Sequence, residues 1–231
     1  MTKGVRATVT AVGLFCLMGF LWPQIGLAQL WDFLKKKGAP KVDVDGLSSR
    51  AEAVKTLVSK ATISFAEAVV DVQEASGKKE QAEKMKQNIA SVKSKPGQES
   101  LKVLMRSVNE GVADIEKTNS LAQISEADAK KFMGASILKV GVGVILDGTA
   151  AKNAGVLVKD AQEGLKQTSI TSAGKIKDVI EVGQFATQEV PPQVTSMDAF
   201  GARLIDYAKA KGIPYPSPEE VSQKAKALEK E

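Results

Sequence analysis

Acidic side chains are the first place to look for chemistry in this chain, because two carboxylates at close range can divide general acid and general base work. Acidic residues are plentiful and several stand close together, among them Asp71 with Glu74, Asp114 with Glu116, and Glu126 with Asp128. Each lies on a stretch of helical periodicity flanked by lysines. The spacing predicts solvated helix faces and sets no two carboxylates across a cleft. Gly141-Val142-Gly143 supplies two glycines of a dinucleotide-binding loop, but the third is missing at the required offset and no strand precedes it. Asp43-Val44-Asp45-Gly46 has the outline of a calcium loop without the ligands that should follow, and reads as the entry to a helix.

The residue types that are missing narrow the chemistry further. The chain has no histidine, and its single cysteine, Cys16, falls in an N-terminal leader. Without histidine there is no Ser-His-Asp or Cys-His arrangement, no imidazole ligand for zinc and no Glu-x-x-His di-iron site. The expectation is a protein that is not an enzyme and carries no metal and no cofactor.

Residues 1–28 have the form of a secretory signal peptide. Lys3 and Arg6 precede the apolar run Ala11 to Trp22, Pro23 breaks it, and Gly26-Leu27-Ala28 offers small residues for cleavage after Ala28. The run is short for a bilayer span. The predicted destination is therefore export, to the periplasm or another part of the cell envelope. Losing Lys3 and Arg6 lowers the formal charge from +5 to +3. Charges of both signs alternate along the rest, which is the pattern of a solvated surface, and no nucleic-acid partner is expected. An exported domain with no cysteine must be held together by packing.

Residues 29–46 form an apolar and basic leader. Trp31 and Phe33 stand beside Lys35, Lys36 and Lys37, a combination that suits a membrane surface or a partner, or simple packing over one end of the fold. From residue 47 to 212 the periodicity is that of a helical bundle. Leu47, Ala51, Val54, Val58, Ala61, Phe65, Ala68 and Val72 step by four and three without a miss, predicting a helix from Leu47 to Ala75. Further stripes follow at Ala82 to Val92, at Leu101 to Ala122, and from a cap at Ser125 onward. Pro191-Pro192 predicts the end of one helix and Ser196 the start of another. Residues 213–231 read as a proline-rich linker and a peripheral helix capped by Ser217.

The most distinctive stretch is Phe132 to Leu165. Gly134, Gly141, Gly148 and Gly155 recur every seven residues, and Ile137, Val144, Ala151 and Val158 follow each by three. Glycine inside a helix costs about 0.8–1 kcal/mol relative to alanine. Six of them between Gly134 and Gly164 therefore cost roughly 5 kcal/mol, which close helix approach along the glycine seam is expected to offset. The overall expectation is an all-α fold: an elongated antiparallel helical bundle of about five to seven helices with Gly/Ala heptad seams. Its expected role is binding, structural or adaptor work in the cell envelope, with a protein partner or self-association. The alternatives are a periplasmic carrier or sensor of a lipid-like apolar ligand, in which the glycine seam lines a groove, and a protein associated with a membrane surface.

Overall fold

The computed structural model describes residues 42–167 and 170–230. Six α-helices account for most of them: α1 Val44–Ala75, α2 Lys79–Ser94, α3 Gln98–Lys117, α4 Glu126–Leu165, α5 Ile170–Lys211 and α6 Pro218–Lys230, with a 3-10 turn Ser120–Gln123 ahead of α4. No strand occurs among the described residues. The chain is the all-α bundle its periodicity predicts. The signal peptide at 1–28 and the leader residues Trp31, Phe33, Lys35, Lys36 and Lys37 lie outside the described residues.

Local signals set the helix ends. Asp43 caps α1 by accepting from the Gly46 amide at 2.9 Å, so the acidic Asp43–Gly46 stretch is a helix entry. Gly77 takes a φ of +80° in the turn to α2, a conformation that suits glycine. Ser125 accepts from the Asp128 amide at the start of α4, and Ser217 exchanges bonds with Glu220 at the start of α6.

Contacts between helices fix their directions. Asp71 pairs with Lys139 and Arg50 with Asp160, so α1 and α4 run antiparallel. A Cβ at Gly201 would meet Val140 and one at Gly183 would meet Val158, so α4 and α5 are antiparallel as well. Thr62 reaches Gln193, and Asp45 reaches Lys175, which makes α1 and α5 parallel. These three helices form the core. The short α2–α3 hairpin covers the second half of α1 through Lys86–Glu74 and Lys93–Glu67, and α3 meets α5 through Glu116 and Arg203. Every member of the predicted α1 stripe is buried, and so are Leu57, Ala66, Val69 and Val70, because α1 is packed from several sides.

The proline pair does not end a helix. α5 runs through Pro191 and Pro192 as one element of 42 residues, so the expected stop at 191 and restart at 196 are corrected to a continuous helix. Val190, Gln193, Met197 and Phe200 are buried on both sides of the pair, and this common stripe outweighs the local penalty. Both prolines face solvent. The carbonyls they leave without amide donors belong to half-buried Thr187 and exposed Gln188, within reach of water.

Candidate functional site on the glycine-bearing helix

α4 has two different faces. Its buried face follows Val140, Asp147, Ala154 and Ala161, again at seven-residue steps. The glycine line is rotated away from it: Gly148 follows Asp147 by one residue, about 100° around the helix. The expectation that the glycines form the core seam is therefore corrected. They lie on the outer side of α4. Ile137 and Val158 are buried, while Val144 and Ala151 are only half-buried on its flanks. Two stripes at heptad spacing coexist on one helix, and periodicity alone does not say which faces inward.

The first half of the glycine line is covered by the C-terminal segment. A Cβ at Gly134 would stand 3.3 Å from the Pro214 carbonyl oxygen, and one at Gly141 would stand 2.7 Å from Val221 Cγ1. Both steps are seven residues, so residues 213–230 run parallel to α4. Buried Ile213 and Ala225 anchor this segment, and the Lys60 ammonium donates to the Leu228 carbonyl at 2.8 Å. Gly141→Leu should push α6 off without unfolding the core. Faster hydrogen exchange confined to 218–230 is the expected result, with α1, α4 and α5 unchanged.

The second half of the line is open among the described residues. A Cβ at Gly148 or Gly155 would meet none of them within 4 Å, so the described residues do not supply the packing expected at these two positions. Beside them Ile145 is 38% exposed and Val156 51% exposed, unusual values for large aliphatic residues in this bundle. Lys152 and Lys159 are exposed on the same side. α4 is also the one helix among the described residues long and apolar enough to cross a membrane, although here its apolar face is the bundle core.

The paired carboxylates are all engaged elsewhere. Asp71 accepts from the Lys139 ammonium at 2.6 Å and from the Ser136 hydroxyl at 3.2 Å, and Glu74 pairs with Lys86. Asp114 pairs with Lys78, Glu116 with Arg203, Glu126 with Lys130, and Asp128 accepts from its own cap, Ser125. Burial pushes the Asp71 carboxyl above its ordinary range even though Lys139 and Ser136 act to lower it. No group of three or more His, Cys, Asp or Glu side chains that could hold a metal ion exists among the described residues.

Surface cavities are small and edged with polar groups. One of about 180 Å³ is lined by Gln73, Lys84, Asn88, Ser107 and Glu110 among others, and one of about 280 Å³ by Glu52, Lys55, Ser59 and Lys60 among others. Neither includes any residue of α4. The residues that sequence reading overlooked are buried polar ones: Thr62, Gln73, Asp147 and Gln193. Their signal was present, since Asp147 occupies an apolar heptad position between Val140 and Ala154. Comparison with protein-family models, characterised proteins and solved structures finds no match to this chain.

Proposed function

We propose that this is a non-enzymatic, exported helical-bundle protein of the cell envelope that works by docking a helix of a protein partner along the open half of α4. One observation carries the reading: the line of glycines that seats the C-terminal segment at Gly134 and Gly141 continues through Gly148 and Gly155, uncovered by any described residue. Glycine there lets a second backbone approach closely, and the aliphatic groups of Ile145 and Val156 flank the path. Lys152 and Lys159 favour a partner helix carrying acidic residues. The same lysines disfavour the leader, whose Lys35 to Lys37 would repel them, and also a symmetric pairing of two α4 helices about Lys152.

Export follows from the expected signal at residues 1–28 and is checked by fractionation of cells producing the full chain. Docking is checked by a photo-crosslinking residue placed at Val156 and, as a control, at equally exposed Val103 on α3. A discrete crosslinked species from position 156 is expected. It should disappear when Gly148→Leu and Gly155→Leu are combined, with thermal unfolding not lowered, because both positions are open and leucine is the better helix former. Equal crosslinking from 103 and 156, or a product indifferent to the two leucines, contradicts the proposal.

A further inference from the structure

Asp147 is wholly buried in the core, and neither carboxyl oxygen has a hydrogen-bond partner among the described residues. Gln193 of α5 is 1% exposed with its Nε2 unpartnered, while its Oε1 accepts from the Thr62 hydroxyl of α1 at 3.4 Å. Helix register sets the three at one level. Gly143 faces Phe65 across antiparallel α1 and α4, so one turn further along Asp147 comes level with Thr62. Val140 faces Gly201 across α4 and α5, so seven residues further along Asp147 comes level with Gln193 and Val194. Of the six buried polar or charged side chains among the described residues, three thus fall in a single layer of the core. Pro191 and Pro192 immediately precede that layer on α5.

Among the described residues, no positive charge meets Asp147 there. On α1, Lys55 pairs with Glu52, Lys60 donates to the end of α6, and Glu67 pairs with Lys93. On α5, Glu189 and Asp198 point to solvent. On α6, Glu229 and Lys230 are exposed, and on α4 itself Lys139 is taken by Asp71 and Lys152 is exposed. Burial alone pushes the Asp147 carboxyl well above its ordinary range.

We propose that the layer of Asp147, Thr62 and Gln193 is a proton-operated switch between α5 and the α1–α4 pair, closed while Asp147 holds its proton, and that loss of that proton lets α5 open at Pro191–Pro192. A neutral carboxyl both donates and accepts, so it is compatible with the amide and hydroxyl of its layer. A carboxylate in the same place must reach water. α5 is the helix that yields, since two of its amide donors are already missing beside the layer. The sign follows from linkage: the closed state holds the proton more tightly, so closure is favoured at low pH and weakens as pH rises through the raised value.

Hydrogen exchange of the amides between Gln184 and Met197, corrected for intrinsic rates and followed from pH 5 to pH 8, tests this. In the native chain the opening equilibrium should rise by up to about tenfold per pH unit across the window between the ordinary and the raised carboxyl value. Asp147→Asn should flatten the profile, and Asp71→Asn should leave it sloping. Pro191→Ala with Pro192→Ala, which restores both donors, should reduce its amplitude. Superimposable profiles for the native chain and Asp147→Asn overturn the proposal. So does a carbon-13 titration of the native protein in which the Asp147 carboxyl ionises at the ordinary aspartate value.

Discussion

Replacing Phe65 by alanine lowers the unfolding free energy by about 3–5 kcal/mol, the range for removing a large aromatic from a packed core. Phe65 is fully buried on α1, and its ring lies against the backbone of α4 at Gly143. A Cβ added at Gly143 would overlap Cε1 of that ring, so ring and glycine are two halves of one contact. Gly143→Ala alone sets an overpacking cost of about 1–3 kcal/mol against a helix-propensity gain of about 1 kcal/mol, and should destabilise by about 1 kcal/mol. With Phe65→Ala already in place, the same change has no ring to meet. It should then stabilise by about 1 kcal/mol through propensity and partial filling of the cavity. Denaturant unfolding of the two single variants and the double variant measures the coupling, expected near 2 kcal/mol with the sign of Gly143→Ala reversed. Strictly additive effects would show that the glycine serves some purpose other than admitting the ring.

Lys139→Met costs about 2 kcal/mol near neutral pH, and the cost fades on acidification. The Asp71 side chain is 14% exposed and that of Lys139 31%, which places the pair between a surface ion pair worth up to about 1 kcal/mol and a buried one whose disruption costs about 3–5 kcal/mol. Methionine keeps the aliphatic stem and removes the charge, leaving a mostly buried carboxylate with only the Ser136 hydroxyl. Burial already raises the Asp71 carboxyl above its ordinary value, and removing its counter-ion raises it further. An acid whose folded value is raised opposes folding once pH exceeds its unfolded value. The difference between variant and native protein should therefore be small below the ordinary aspartate range and grow as pH rises toward neutrality. Thermal unfolding at a series of pH values reads it directly. A difference that stays constant with pH would mean that the variant loses packing alone.

The surface reading and the buried layer occupy different faces of α4, about 100° apart, so they are tested independently. The open glycines can be filled without touching the core, and Asp147 can be neutralised without altering the outer face. α4 combines them because its two heptad stripes are offset around the helix: small residues outward, and an otherwise apolar line with one carboxyl inward.

The α1 helix could be read from residue types alone, because eight apolar positions at steps of four and three have only one face to occupy. The caps at Ser125 and Ser217 were equally legible, since the bonds they make lie within three residues of sequence. The all-α class follows from such local patterns. Tertiary structure decided what depended on neighbours. Pro191–Pro192 reads as a stop in isolation, yet the helix continues because buried side chains on either side share one stripe. Local propensity costs a few kcal/mol, and packing along forty residues exceeds it. The glycine heptad was visible in the sequence, but its orientation was not. Only the partners of each glycine show that Gly143 admits Phe65, that Gly134 and Gly141 seat the C-terminal segment, and that Gly148 and Gly155 face open space. Asp147 carries the same lesson. A carboxyl beside a glycine reads as a turn or a solvated face until three helices close over it, and helix association is a property of the whole chain.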